Sequence, residues 1–270
     1  MKIESAPRLG IWPGAVYRHR VGLIALTIAS LTFLLYLLTL APGLTWRNSA
    51  SDGGDLLTAA FTWGIPHPTG YPTYLILLRG FSSVIPTGSV ALHGNLFSAI
   101  TASAAIGLLF MATVRILRSL PLSTGITDRY VLISAGVSSI SMAASRELWS
   151  QATVTEVYAL NTLFVSAILW ITLGLRDRQR NGGVGWRYGA SIGLLSGIAL
   201  GNHLTIAAVI IPLLAWGILG GGVRTLRVGH ALPIMVAGAL GLCVYAYAPI
   251  ASSQAPVLNW GHPDSLQGFW

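Results

Sequence analysis

A chain of 270 residues that is 53% hydrophobic and only 9% charged does not read as one or two soluble domains; it belongs to the membrane class. The basic residues behind the formal charge of +8 are almost all arginines scattered near the ends of apolar runs, which fits membrane topology and not a nucleic-acid-binding face. The lone Cys243, inside an apolar run, excludes an internal disulfide and a thiolate metal cluster.

The first apolar run, residues 21–41, follows a basic start of Lys2, Arg8, Arg18 and Arg20. It is too long for a signal-peptide core and no small-residue cleavage site clearly follows, so we read an uncleaved transmembrane helix. Further runs fall at 95–114, 130–145, 156–175, 188–201, 203–220 and 231–250. Such runs approach the ~20 apolar residues needed to cross a hydrocarbon core of roughly 30 Å, and their unbroken character points to helices rather than barrel strands. The fold class expected is all-α, a multi-pass transmembrane helical bundle of about seven spans. It forms one module over residues 1–270, with a first outer loop at 42–94 and an outer C-terminal segment at 251–270 that looks like the middle of a loop and suggests truncation. Residues 71–86 are short, bounded by prolines and interrupted by Arg79, which predicts an interfacial or half-inserted helix.

Charge placement supports this count. With the N-terminus inside, the inner joints hold the four basic residues above, then Arg115, Arg118 and Arg129, then Arg176, Arg178, Arg180 and Arg187, then Arg224 and Arg227. Only Arg47, Arg79 and Arg146 lie outside, and letting residues 71–86 span would invert every later cluster. Trp170, Trp186 and Trp216 fall near inner boundaries, and Trp46, Trp149 and Trp260 near outer ones.

Most other polar residues gather on the outer side. In the first outer loop, Asp52 and Asp55 precede a short amphipathic helix; they read equally as an N-cap with its N3 partner and as carboxylates able to take a proton from a hydroxyl. HPTGYP follows, a turn of fixed shape that starts at His67. In SRELWSQATVTEVYALN, Glu156 enters the apolar region, where an ionisable group implies a partner or a wet cavity. Arg146 is its nearest candidate partner in sequence, or else a holder of phosphate. Gly201, Asn202 and His203 form an outer hinge between two short spans. No ligand pair stands at a spacing such as i, i+4, and no phosphate loop or nucleophile elbow occurs. The residues require no cofactor and leave a divalent metal open.

The runs APGLTWRNSASDGGDLLTAAFTWGIPHPTGYPTYLILL, VALHGNLFSAI, SRELWSQATVTEVYALN, GNHLT and VLNWGHPDS together resemble the protein O-mannosyltransferase-like membrane family of GT-C glycosyltransferases. The likeness runs from about residue 41 to 264. The acidic loop of that family usually reads Asp-x-Gly-Glu and its turn HPPGYP; Asp55 here replaces the Glu and Thr69 a proline. The resemblance implies a GT-C-like bundle with juxtamembrane helices in the first outer loop. It also implies a polyprenyl-phosphate-linked sugar, mannose or another hexose, as donor, and a protein or glycan hydroxyl as acceptor. By motif position the catalytic aspartate falls at Asp52, with Asp55 orienting it or sharing the role. Arg146, Glu156, His67, His203, Arg79, Asn202 and Tyr158 are the expected donor-phosphate or substrate-binding residues. The expected setting is a bacterial plasma (inner) membrane, with the N-terminus cytoplasmic and the site on the outer face. A transporter or lipid flippase is the alternative, but it calls for polar groups near the bilayer midplane and for broken helices in paired repeats, which the sequence does not show.

Overall fold

A computed structural model describes residues 14–120, 127–183, 185–219, 228–265 and 268. The described chain is helical, and its β-type pairing is a single isolated bridge between Ile65 and Asn259. Helix α1 (Ala15–Leu38) is followed by a 3-10 turn at Arg47–Ser49, then by α2 (Gly53–Thr62) and α3 (Pro72–Ser83). Next come α4 (Val90–Ser119), α5 (Asp128–Ala143), α6 (Arg146–Ala152), α7 (Tyr158–Arg180) and α8 (Trp186–Leu200). A 3-10 turn at Leu204–Ile206 leads into α9 (Ala207–Leu219), and α10 (Val228–Leu242) continues through a 3-10 turn into α11 (Tyr247–Ser252).

Each expected apolar run falls mostly on helix among the described residues, residue 220 lying outside them, so the all-α, membrane-type fold is the one observed. Among the described residues, four helical segments are long and apolar enough to cross a bilayer: Ala15–Leu38, Val90–Ser119, Tyr158–Arg180 and Ala231–Ser252. The other three runs form shorter helices of 16, 15 and 13 residues, α5, α8 and α9, about 20–24 Å long at 1.5 Å per residue. The stretch 71–86 gives α3, whose 12 residues reach only about 18 Å and fit an interfacial helix better than a span. Of the inner-joint residues, Lys2, Arg8, Arg224 and Arg227 lie outside the described residues.

Helix α4 is the hub, packed against α1, α5 and α7, while α7 also packs on α8 and α8 on α10. The α8–α10 crossing brings backbones together, because a Cβ on Gly193 or Gly197 would strike the carbonyls of Ile234 or Gly238. This small-residue packing is the usual way membrane helices approach closely where lipid gives no hydrophobic drive. Lipid-facing side chains such as Leu23, Leu26, Leu31 and Leu34 on α1 remain exposed.

Hydrogen bonds clamp the first outer loop to this frame. Asn95 of α4 donates through Nδ2 to the carbonyls of Ala41 and Gly43, at 2.8 and 3.2 Å, and its Oδ1 accepts from Thr155 Oγ1 at 2.8 Å. Thr73, at the start of α3, donates its N–H to Gly201 O and its hydroxyl to Ile198 O, so it satisfies carbonyls at the end of α8. Asp52, Thr73, Asn95, Tyr158 and Asn202 are thereby brought to one end of the bundle.

Candidate active site

The two loop carboxylates escape the capping duty that their spacing suggests. Asp52 stands at the N-cap of α2 without a side-chain cap bond, and its own N–H donates to Glu156 Oε1 at 3.5 Å. Asp55 turns to the HPTGYP loop instead, where Oδ2 accepts from both the backbone N–H of His67, at 2.9 Å, and His67 Nδ1, at 2.6 Å. The Asp55 carboxylate on Nδ1 fixes the orientation of the ring, and Nε2 lies in hydrogen-bond contact with the Tyr71 hydroxyl at 2.9 Å. The same Nε2 lies 3.5 Å from Asp52 Oδ2. Tyr71 is set by a left-handed backbone at φ 43 immediately before Pro72 opens α3.

Asp52 is the less committed carboxylate. Its side chain is 38% exposed, against 22% for Asp55, and its close neighbour besides His67 is Ser51 Oγ, which donates to Oδ1 at 2.8 Å. Glu156 is buried beneath it. Burial, reinforced by the Asp52 charge, pushes the Glu156 carboxyl up to about 7, while the Asp52 N–H and His67 pull it back. Oε2 of Glu156 has no hydrogen-bond partner among the described residues, which favours the protonated form further. Burial, then Asp52 and its neighbours, pushes the Tyr71 phenol up to about 12, so it stays a donor.

An aromatic wall closes the other side. The His203 ring centroid is 6.0 Å from that of Tyr71 and 5.5 Å from that of Tyr158. Its Nδ1 accepts from the N–H of Thr205, which places the proton on Nε2. Burial and then His67 lower its pKa, so His203 offers a neutral N–H. Buried Asn202 donates from Nδ2 to Val157 O and fixes the hinge against the start of α7.

Among the described residues neither Arg79 nor Arg146 forms an ion pair with this group. Arg146 is exposed on the first turn of α6, and among the described residues no ion pair joins it to Glu156. The turn after Ala152 carries Glu156 inward, which separates two residues that are close in sequence. Arg79 lies over the rings of Phe61 and Trp63, 5.0 and 5.7 Å from their centroids. Those rings end α2, roughly 9 Å along its axis from Asp55. Among the described residues no group of three His, Cys, Asp or Glu side chains is arranged to hold a metal ion.

Residues 52–226, more than half of the chain, match the family described as the protein O-mannosyl-transferase TMEM260 N-terminal domain. The chain belongs to this TMEM260 family. It is 30% identical over 269 residues to Protein O-mannosyl-transferase TMEM260 of Mus musculus, covering 98% of this chain and 35% of that protein. A second relative, Protein O-mannosyl-transferase tmem260 of Dictyostelium discoideum, is 26% identical over 259 residues, covering 90% of this chain and 30% of its own length. The chain thus spans about a third of the length of the curated relatives it matches. No solved structure matches it.

The TMEM260 match opens at Asp52 and takes in Asp55, His67, Tyr71, Glu156, Tyr158, Asn202 and His203. The structure brings together Asp52, Asp55, His67, Glu156, Tyr158, Asn202 and His203 and leaves Arg79 and Arg146 aside. It adds Tyr71 and Ser51, which sequence patterns do not single out. The i, i+4 spacing of His67 and Tyr71 is the one available signal for Tyr71, and it is weak because HPTGYP is not helical. Ser51 is marked by nothing but its place beside Asp52.

Proposed function

We propose that the chain is the membrane part of a glycosyltransferase that moves a hexose, mannose in the first instance, from a polyprenyl-phosphate donor to a protein hydroxyl. The transfer takes place at the non-cytoplasmic face, as in GT-C enzymes, and the observation that carries the reading is the Asp52–His67–Asp55 arrangement. One carboxylate is held free enough to accept a proton while the other is spent on orienting an imidazole beside it. The membrane setting and the names of the two TMEM260 relatives support the choice of reaction.

In this reading Asp52 removes the proton of the acceptor hydroxyl as its oxygen forms a bond to the anomeric carbon. The bond from that carbon to the phosphate oxygen breaks on the opposite side, so configuration inverts and the polyprenyl phosphate leaves with the electron pair. Tyr71 O–H, the neutral N–H of His203 and the Tyr158 hydroxyl line the same corner and suit hydrogen bonding to sugar and phosphate oxygens. Arg146 is assigned to the phosphate charge, because it is exposed and no described carboxylate neutralises it. Arg79, stacked on aromatic rings, holds α2 against α3. Clustering of the arginines at the opposite bundle end supports a cytoplasmic N-terminus.

The test is transfer by the purified chain in lipid nanodiscs, supplied with a polyprenyl-phosphate mannose and a hydroxyl-bearing peptide. Asp52→Asn should lower the rate by roughly 10²- to 10⁴-fold. Full retention of transfer by that variant would overturn the assignment.

A further inference from the structure

At the bundle end remote from the carboxylates, α1, α4, α7 and α8 enclose two adjoining cavities of about 400 and 730 Å³ that share Arg115, Trp170, Arg178 and Tyr188. Arg18 lines the first and Arg187 the second. Twenty helical residues separate Asn95 from Arg115 on α4 and Tyr158 from Arg178 on α7, so the two ends lie about 30 Å apart, one hydrocarbon thickness. Nothing in the glycosyl-transfer reading uses this region.

Its charge is lopsided. Against four arginines stands one lining carboxylate, Asp177, which is already bound to Arg115 Nε at 3.0 Å. Among the described residues no ion pair reaches Arg18, Arg178 or Arg187. The walls are also shaped around the cations. Arg115 donates from Nη1 to Trp170 O at 3.1 Å, and its guanidinium lies 4.1 Å from the Trp170 ring centroid. A Cβ on Gly174 would come within 2.6 Å of the Tyr188 ring, and one on Gly183 within 2.5 Å of Arg178 Nε. Glycine at 174 is what lets α7 take the Tyr188 ring.

We propose that this cavity binds a phosphate ester, with Arg178 and Arg187 as its principal ligands and Arg18 at the rim. Guanidinium groups match phosphate oxygens in pairs. Trp186 and Tyr188 are exposed beside it, at the level where aromatic side chains meet lipid headgroups, and the exposed leucines of α1 offer a surface for acyl chains. The phosphate can therefore belong to an anionic lipid headgroup or to a soluble phosphate compound from the adjoining aqueous phase.

The experiment reconstitutes the chain in nanodiscs of phosphatidylcholine alone and of phosphatidylcholine with phosphatidylglycerol. A second arm adds glycerol 3-phosphate to the phosphatidylcholine discs. Thermal midpoint and tryptophan fluorescence are followed, and native mass spectrometry reads which lipid class is retained. Phosphatidylglycerol should raise the midpoint and be retained preferentially, with binding about thirtyfold weaker in R178Q/R187Q, the loss expected for two interfacial arginines. Both side chains are exposed, so these replacements leave the packing intact; the single variants R178Q and R187Q provide the same comparison should the double variant not fold. A response to glycerol 3-phosphate that these variants weaken supports the site and identifies a soluble ligand. A response to neither, or one that the arginine variants leave unchanged, overturns the proposal.

Discussion

His67 is tied twice to Asp55, through its backbone N–H and through Nδ1, so one carboxylate fixes both the turn and the ring it presents. The imidazole therefore stands beside Asp52 in one orientation, at 3.5 Å, and the position of the exposed carboxylate and that of the ring depend on each other.

Removing Asp55 should act through His67. Asp55→Ala is expected to lower transfer about 10- to 100-fold, as is usual when a group orienting a functional histidine is lost. Combined with His67→Ala, it should cost little more than either change alone, because the two act as a unit. Initial-rate kinetics on the single and double variants check this, and fully additive losses would separate the two residues.

Glu156 gives the fold a pH dependence. Its folded-state value of about 7 lies above the ordinary 4.5 of a glutamate, so between these values the folded chain holds a proton that the unfolded chain has released. Stability from this group is present in full below pH ~4.5 and is lost as pH rises through about 7. The thermal midpoint should fall as pH rises from 4.5 through about 7 for the native chain, and Glu156→Gln should flatten that slope.

Asn95 holds the start of the loop through two hydrogen bonds and ties it to Thr155 through a third. Asn95→Ala strands the Ala41 and Gly43 carbonyls and the Thr155 hydroxyl, and should destabilise the chain by about 1–3 kcal/mol. Denaturation in detergent reads the loss. Transfer should fall with it, because the loop carries Asp52.

Gly64 lies where the C-terminal segment crosses the first outer loop. A Cβ there would come within 2.6 Å of Leu258 O, beside the bonds from Ile65 N–H to Leu258 O and from Trp260 N–H to Ile65 O. Gly64→Ala should destabilise by about 1–3 kcal/mol through overpacking and expose the segment after Ser252 to protease. Limited proteolysis followed by mass spectrometry checks this.

Much of the cluster was legible before the fold, since Asp52, Asp55 and His67 stand together in one polar loop, and Glu156 and His203 lie at the ends of apolar runs, where lipid would penalise them without a purpose. Pairing was not legible. Chain proximity couples Arg146 with Glu156 and capping rules couple Asp52 with Asp55, yet the bonds run from Asp52 to Glu156 and from Asp55 to His67. Both differences arise from backbone direction at turns, after Ala152 and in HPTGYP, where a change of a few dihedrals swings a side chain to another neighbour.

The sequence by itself determined the membrane class, the helical fold and the shortness of the apolar segment at residues 71–86. These follow from hydropathy and charge, which act residue by residue along the chain. Only the tertiary structure decided which carboxylate is left free and which is bound, and that Tyr71 joins them. Hydrogen bonds between segments as distant in sequence as Asp52 and Glu156 depend on how α2, α4 and α7 pack, and packing is a property of the whole bundle.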